Sequence, residues 1–244
     1  MRASFGELRR ATRPAIMTDV LLLDYNGVVV DDEPIHFAAL RDVLAIERVV
    51  VDEAAYYAEY LGLEDRTCIR LAFQRAGRGL DDGALDRLAT RKAVWYAEAT
   101  RTGVPLVPGV QAFVRAAAQV ARIAVVSGAL RREITAGLAQ AGIADVVAAV
   151  VSVEDVSAGK PDPAGLRLGL ARIGSGAGVR VAVVEDSLPG ISAAKALGAG
   201  CAALTTSRDE GTLAAADVVW KSFAGHGVEE LAPLFRKVDV TGSA

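Results

Sequence analysis

The stretch from residue 20 to residue 33 constrains the fold of this chain more than any other segment. Residues 20–23 form a continuous apolar run, Val-Leu-Leu-Leu, which is typical of a strand buried on both faces in a parallel sheet. The run ends at Asp24, and Gly27 follows shortly after, where it allows the backbone to turn sharply. Open α/β sheets place their ligand crevice at the carboxyl ends of parallel strands. Asp24 is therefore a candidate site residue, although a strand that ends in an ordinary polar turn has the same local pattern.

Short apolar runs alternate with helical patterns over the second half of the chain. Strands of this kind, separated by helices of this length, indicate a doubly wound parallel sheet. The strand at 20–23 has no partner nearby in the sequence, so we expect it to join the same sheet. The predicted strands are 122–126, 146–151, 180–184, 201–204 and 217–220, and the predicted helices lie near 109–120, 130–141, 163–172 and 189–197.

The segment between these two parts carries helical patterns and no strand pattern. Helices are predicted at about 34–45, after a capping Asp52, at 64–76 and at 82–101. The apolar face of the last helix is predicted to consist of Leu85, Leu88, Trp95 and Ala99. We interpret the tyrosines of this segment and Trp95 as its core: Tyr56, Tyr57 and Tyr60.

These patterns together predict an α/β protein, a doubly wound parallel sheet with an inserted all-helical cap domain. The Gly- and Pro-containing stretch at 103–109 is typical of the linker by which the chain returns to the sheet. The cap is expected to hinge at about 30–33 and 103–108. The expected parts are an N-terminal extension at 1–17, a core domain at 18–33 and 103–236, a helical cap at 34–102 and a C-terminal tail at 237–244.

Composition and charge argue against several classes of protein. The net charge of −3 gives no sign of the excess positive charge that is typical of nucleic-acid-binding proteins. No apolar run approaches the roughly 18 residues of a membrane span. Cys68 and Cys201 lie far apart without metal-binding spacing, which favours buried thiols in a reducing, cytoplasmic setting. The N-terminal extension lacks the apolar region of a secretory signal, so we expect a dispensable arm. We expect a monomer or a weak dimer that binds neither nucleic acid nor membranes.

Polar residues follow four of the predicted strands, and their types point to one chemistry. Asp24, Ser127-Gly128, Lys160 and Glu185-Asp186 would meet at one edge of a doubly wound sheet. A nucleophilic carboxylate, a hydroxyl, a lysine and a further carboxylate pair are the groups that phosphoryl transfer to an aspartate requires. Carboxylates also bind Mg²⁺, together with waters and phosphate oxygens.

These motifs resemble those of the haloacid dehalogenase (HAD) superfamily, in particular its phosphatase and β-phosphoglucomutase-like branch. The resemblance covers about residues 18–236. It implies a HAD-like, Rossmannoid fold with a helical cap, and a Mg²⁺-dependent hydrolase that acts on a small phosphorylated metabolite. The segments that carry it are 24–33, 125–128, 159–163 and 183–195.

The resemblance also assigns roles to individual residues. Asp24 would be the nucleophile that becomes an aspartyl-phosphate. The phosphoryl group would be held by Ser127, Gly128, Lys160 and the backbone N–H of Gly27. Mg²⁺ would be bound by Asp24, Asp186, the backbone carbonyl of Asn26 and the nearby Glu185.

One position departs from the family pattern. The family's phosphatases carry a second aspartate two residues after the nucleophile, where this chain has Asn26. An amide cannot transfer the proton, and general acid–base catalysis typically contributes roughly 10²–10⁴-fold. We therefore expect slow release of the phosphoryl group, and we expect Asn26→Asp to raise hydrolysis with little effect on packing.

Three other polar residues allow either a structural or a functional interpretation. His36 resembles a histidine of some cap-bearing relatives; it is either a surface or hinge histidine, or it partly replaces the missing proton donor. Arg66 and Arg70 are candidates for substrate binding, although solvated helix charges are the simpler interpretation. His226 is expected in a loop.

Three functions are open at this point. A phosphatase acting on a small metabolite is favoured. A phosphomutase would benefit from a slowly hydrolysed phospho-Asp24. A ligand-sensing or regulatory protein would keep the pocket and lose turnover through Asn26.

Overall fold

The computed structural model describes residues 19–61, 63–176 and 178–239. The predicted N-terminal extension and the last residues of the predicted tail, 240–244, lie outside the described residues.

The central element is a seven-stranded sheet. Six strands run parallel in the order β3-β2-β1-β4-β5-β6, so the first strand lies in the middle. The short β7 pairs antiparallel with β4 and was not anticipated from the sequence. The strands are β1 Asp19–Leu23, β2 Arg122–Val126, β3 Val147–Val151, β4 Arg180–Glu185, β5 Gly200–Leu204, β6 Val218–Trp220 and β7 Arg236–Lys237.

Helices cover both faces of this sheet. Leu21 and Leu23 of β1 pack with helices α5 and α6, whereas Val20 and Leu22 pack with α7 and α8 on the other face. Successive side chains of a strand point to opposite faces, so a strand covered on both sides must be apolar throughout. The predicted fold class is confirmed. These helices are α5 Val110–Ala117, α6 Arg131–Gln140, α7 Ala164–Ile173 and α8 Leu188–Leu197.

The segment inserted after β1 consists of helices in the part of it that the structure describes. These helices bury an apolar cluster of their own, drawn from residues between Leu40 and Leu88. Asp52 and Asp81 cap two of them by accepting hydrogen bonds from the backbone N–H groups of Ala55 and Ala84, each at 2.7 Å. The helices are α1 Glu33–Ile46, α2 Glu53–Ala55 followed by a π-helical turn Tyr56–Tyr60, α3 Asp65–Arg75 and α4 Asp82–Ala99.

The chain leaves and re-enters the sheet region through two adjacent segments. The N–H of Asp31 donates to the carbonyl of Pro105 at 2.8 Å, and the N–H of Val107 donates to that of Val29 at 3.1 Å. These paired segments coincide with the expected hinge positions. The division into two domains at 34–102 stays a prediction.

The predicted apolar face of α4 was wrong in part. Leu85 and Leu88 are buried as expected, but Lys92 and Tyr96 complete the buried face, while Trp95 is partly exposed and Ala99 is exposed. Lys92 interrupts the apolar pattern of the buried face, so the apolar residues Trp95 and Ala99 were assigned to that face in place of Lys92 and Tyr96.

The remaining structural expectations concern exposure. Cys68 and Cys201 are both buried free thiols. Among the described residues, no helix has the length and hydropathy that crossing a bilayer demands.

Candidate active site

The side chains predicted to carry out the chemistry lie close together at the carboxyl edge of the sheet. Asp24 follows β1, Glu185 ends β4, and Lys160 lies in the loop between β3 and α7. The Lys160 Nζ atom is 2.9 Å from Oδ1 of Asp24 and 2.5 Å from Oε1 of Glu185. Burial lowers the pKa of Lys160, but the two carboxylates outweigh burial and raise it. The lysine is therefore an ammonium group directly beside the proposed nucleophile.

Three carboxylates form a cluster that fits a divalent cation. Asp24, Glu185 and Asp186 each offer an oxygen atom within 4.8 Å of the others. Burial raises the pKa of both Glu185 and Asp186, and the charge of Asp24 raises them further, although Lys160 opposes the shift at Glu185. Such closely spaced buried anions repel one another, and carboxylate oxygens are the ligands that Mg²⁺ prefers. The donor set therefore fits Mg²⁺.

Gly27 lies in a tight loop after β1. Its backbone N–H donates to the carbonyl of Val30 at 2.7 Å, and the expected donation of this N–H to phosphate stays a prediction. The structure shows why the residue is a glycine. Its φ is +69°, and a Cβ atom would lie 1.9 Å from Oδ2 of Asp186. Gly27 thus makes room for the carboxylate cluster.

Ser127 follows β2 and faces the same space. Its hydroxyl lies 3.4 Å from Oδ1 of Asn26 and accepts a hydrogen bond from the N–H of Ala129 at 3.2 Å. The neighbouring Gly128 lines the cavity, and no atom lies within 4 Å of the position its Cβ would take. Ser127 and Gly128 leave space beside Asp24 for a ligand.

A cavity of about 540 Å³ lies between the sheet edge and the inserted helices. Its sheet side contains Asp24, Asn26, Ser127, Lys160 and Asp186. Its helical side contains polar groups that include Glu33, His36, Asp65, Lys92 and Tyr96.

Asn26 is tied to a buried carboxylate, Asp32. Its Nδ2 atom is 3.0 Å from Oδ1 and 2.9 Å from Oδ2 of Asp32. The hydroxyl of Tyr96 donates to the same carboxylate, and Nε2 of His36 is 3.3 Å from it. Burial raises the pKa of Asp32, but its hydrogen bonds, that from His36 first, outweigh burial and lower it. Asp32 is therefore an ionised group with three donors from three parts of the chain.

His36 lines the cavity, and its proposed part in proton transfer stays a prediction. Its Nδ1 atom is 3.0 Å from Nζ of Lys92, and its ring stacks on Tyr96 at a centroid distance of 4.4 Å. Burial lowers the pKa of His36, whereas its hydrogen bond to Asp32 raises it and prevails. Lys92 in turn forms an ion pair with Asp65.

The structure contradicts the expectation that Asn26→Asp has little effect on packing. Both oxygens of Asp32 lie within hydrogen-bond distance of the Asn26 amide nitrogen. A carboxylate at position 26 would place oxygen against oxygen and charge against like charge in a buried environment.

The arginines of the helical segment lie outside the site. Arg66 pairs with Asp86 at 2.6 Å, and Arg70 pairs with Asp82 at 2.9 Å, in exposed positions. Neither arginine lines the cavity, so the interpretation as solvated helix charges holds. Tyr56 and Tyr60 are buried in the helical cluster, with Tyr57 packed against them, as interpreted.

Several contributing residues were missed in the sequence. Lys92 lies in the buried face of α4 with Leu85 and Leu88, and a lysine at that spacing was a usable signal. After β5, Ser207 donates to Asp186, and Oγ1 of Thr206 donates to the carbonyl of Gly27 at 2.5 Å. A run of hydroxyl residues directly after an apolar strand is the same signal that identified Ser127. The missed residues are Asp32, Lys92, Tyr96, Thr206 and Ser207.

Comparison with known proteins gives three kinds of match. A model of the haloacid dehalogenase-like hydrolases matches residues 18–198. A stretch of 99 residues, 41% of this chain, is 34% identical to validoxylamine A 7'-phosphate phosphatase from Streptomyces hygroscopicus subsp. limoneus. The match spans 46% of that protein, which is less than half of its length.

Two solved structures illustrate the similarity in fold. A mutant of CbbY from Rhodobacter sphaeroides in complex with xylulose-(1,5)bisphosphate has a TM-score of 0.75 and 24% identity, covering 87% of this chain and 98% of that one. β-Phosphoglucomutase from Clostridium difficile has a TM-score of 0.76 and 15% identity, covering 87% and 94%. At these identities the likeness concerns the fold alone.

Proposed function

The chain belongs to the haloacid dehalogenase-like hydrolase family, and from that premise we propose a Mg²⁺-dependent phosphatase that acts on a small phosphorylated metabolite through Asp24. The contact between Lys160 and Asp24, 2.9 Å long, is the observation that carries the proposal. It pairs a carboxylate nucleophile with a fixed positive charge at the mouth of a cavity large enough for a metabolite.

The reaction proceeds by two displacements at phosphorus. An oxygen of Asp24 attacks the phosphoryl group, the bond to the ester oxygen breaks, and that oxygen leaves with a proton as the alcohol. Water then attacks the aspartyl-phosphate, and the bond to Asp24 breaks to release phosphate and regenerate the carboxylate. The ammonium of Lys160 and the hydroxyl of Ser127 hold the phosphoryl oxygens during both steps.

The carboxylate cluster would hold Mg²⁺. Asp24 and Asp186 are the proposed ligands, with Glu185 and the backbone carbonyl of Asn26 beside them. When bound, the cation neutralises negative charge on the transferring phosphoryl group.

His36 is the proposed proton-transfer group. Asn26 cannot exchange a proton, whereas the imidazole of His36 faces the cavity and is oriented through Nε2 by Asp32. Because Nε2 faces Asp32 and Nδ1 faces Lys92, the ring exchanges one of these contacts for the ester oxygen in this proposal, protonates that oxygen and later accepts the proton of the attacking water.

The charges of the cavity favour a phosphatase acting on a monophosphate over a phosphomutase that works through a bisphosphate. Both lysines that line the described part of the cavity already contact carboxylates: Lys160 with Asp24, and Lys92 with Asp65. The remaining charged lining residues are acidic: Glu33, Glu64, Glu133 and Asp162, besides Asp186. Besides Lys160, a second phosphate would meet only Lys92, which is held by Asp65, and His36 among the described lining residues, whereas hydroxyl or ammonium groups would find several carboxylate acceptors.

One experiment distinguishes the three functions. Purified protein is tested with a panel of sugar and cyclitol monophosphates, with and without Mg²⁺, and phosphate release is measured. The same samples receive a sugar bisphosphate and are analysed for isomerised sugar phosphate. Mg²⁺-dependent release that disappears in Asp24→Asn supports the phosphatase. Isomerisation without net release would instead establish the mutase, and Mg²⁺-dependent binding of beryllofluoride without any turnover would establish the sensor.

A further inference from the structure

We propose that Asp32 is a positioning residue that requires an amide at position 26 and holds His36 against the cavity, so that Asn26 and Asp32 act as one unit. This inference rests on the proposed function for its catalytic part and on contacts alone for its structural part.

Asp32 connects three elements, of which only α4 is distant from it in the sequence. It receives hydrogen bonds from Asn26 in the loop after β1, from His36 on α1 and from Tyr96 on α4. The carboxylate is completely buried, with 0% of the residue exposed. A buried carboxylate needs such donors, because removing one leaves charge without compensation.

These contacts determine which groups can occupy position 26. The amide of Asn26 is the only neighbour of Asp32 in the described chain that also contacts Ser127, through its oxygen at 3.4 Å. An amide can donate to Asp32 and accept from Ser127 at the same time, whereas a carboxylate can only accept. Asn26 therefore fits between a hydroxyl donor and a carboxylate acceptor, and Asp does not.

The same contacts orient His36. Since Asp32 accepts only, Nε2 of His36 must carry the proton that faces it, which leaves Nδ1 toward Lys92 at 3.0 Å. The imidazole, Lys92 and the Asn26 amide thus form one arrangement around Asp32. A change at Asp32 disturbs the groups that border the cavity although Asp32 itself contacts no substrate.

Exchanging the two side chains tests the unit. We would compare wild type with Asn26→Asp, Asp32→Asn and the double variant Asn26→Asp/Asp32→Asn. Asn26→Asp sets two carboxylates against each other. Asp32→Asn replaces one of the two oxygens near the Asn26 amide by a donor N–H₂ and removes the charge that three donors surround, so each single variant should lower Tm by about 5 °C or more. The double exchange restores one donor and one acceptor, and its Tm should return to within about 2 °C of wild type.

Activity provides the second readout. On the proposed function, Asn26→Asp alone should lower kcat for an alkyl phosphate. The double variant has a carboxylate beside Asp24 and should exceed the kcat of wild type by about tenfold or more, with KM changed less than kcat. The positioning role is tested by Asp32→Asn alone: a kcat and a pH profile of kcat equal to those of wild type would leave Asp32 a purely structural role and overturn the positioning role.

The matched control combines Asn26→Asp with Asp31→Asn. Asp31 is the adjacent carboxylate, and no hydrogen bond joins it to Asn26 within the described residues. This combination changes charge identically and should not restore Tm. If Asn26→Asp alone keeps the wild-type Tm, or if Asp31→Asn rescues as well as Asp32→Asn, the unit does not exist. If the single variants lower Tm, the double exchange restores it and no protein, wild type included, releases phosphate, then the proposed function is wrong while the pairing of Asn26 with Asp32 is confirmed.

Discussion

Asp186 shows how one side chain can be tested without disturbing the others. Asp186 is buried, accepts a hydrogen bond from the hydroxyl of Ser207 and belongs to the carboxylate cluster. The backbone of Gly27 lies beside it. The neighbours Asp24 and Glu185 both contact Lys160, and these contacts do not involve Asp186.

Asp186→Ala should abolish Mg²⁺-dependent binding of beryllofluoride, because one carboxylate ligand is lost while the fold is retained. Calorimetric titration with and without Mg²⁺ measures this, and circular dichroism checks the fold. Asp162→Asn is the matched control, since Asp162 lines the same cavity outside the cluster. Unchanged metal-dependent binding in folded Asp186→Ala would remove Asp186 from the metal site.

Gly27→Ala should destabilise the protein by at least about 2 kcal/mol, from strain at positive φ together with the clash of its Cβ with Asp186. Urea unfolding measures the loss. Gly79→Ala serves as control, because no atom lies within 4 Å of the Cβ it would add and its φ is not positive. Equal stability of the two variants would contradict the packing argument for Gly27.

Elements of the sheet region are joined by an ion-pair network at Asp155, in the short helical turn after β3. Asp155 accepts from Arg131 at the start of α6 and from Arg172 in α7, the latter at 2.6 Å. The hydrogen bond from Arg172 is the main cause that holds the pKa of Asp155 well below its usual range. The network therefore links two helices on opposite faces of the sheet.

The pH dependence of this network has a definite sign. Because the pKa of Asp155 is lower in the folded than in the unfolded chain, its stabilisation is present above the unfolded pKa, near 4, and is lost as pH falls through the folded pKa. Asp155→Asn should lower the free energy of unfolding at pH 7 by about 1 kcal/mol, and Tm with it, since the ion pairs are partly exposed.

The Tm difference between Asp155→Asn and wild type should narrow as pH decreases below about 4. Thermal melts between pH 2.5 and 7 check this, with Asp145→Asn as a control for an exposed pair with Arg115. A difference that stays constant over this range would assign the effect to packing instead.

At the scale of the whole molecule, the helical segment and the sheet enclose the cavity between them, and two paired segments connect them. Movement about those segments would change access to Asp24. Closure over a bound phosphate would exclude water from the reaction.

Small-angle scattering should detect this closure. With Mg²⁺ and beryllofluoride, the radius of gyration should fall relative to the free protein, and the forward scattering should show whether the 25.4 kDa chain is a monomer or a weak dimer. Asp24→Asn provides the control, because it should not form the beryllofluoride adduct. An identical scattering profile with and without the mimic would argue against the hinged cap.

The sequence by itself determined the parallel strands of the sheet and the positions of their ends, although not the short antiparallel β7. Buried parallel strands are apolar throughout, so β1, β2 and β4 were recognisable from composition and length alone. Because parallel strands end at one edge, the residues after them could be grouped before any contact was known. This is why the proximity of Asp24, Lys160 and Glu185 was predictable.

Only the tertiary structure decided how the buried polar groups pair. Asp32 and Tyr96 are 64 positions apart, and Lys92 and His36 are 56 apart, on helices whose docking no local pattern specifies. Periodicity indicates which face of a helix is buried, and Lys92 on that face was a signal of a buried polar group, but periodicity does not identify its partner. The role of Asn26 also depended on the folded structure: its sequence position marked a missing carboxylate, whereas its contacts revealed the carboxylate of Asp32. The two residues are only six positions apart, but they meet because the tight turn at residues 27–30 folds the chain back, and the apolar pattern does not specify that contact.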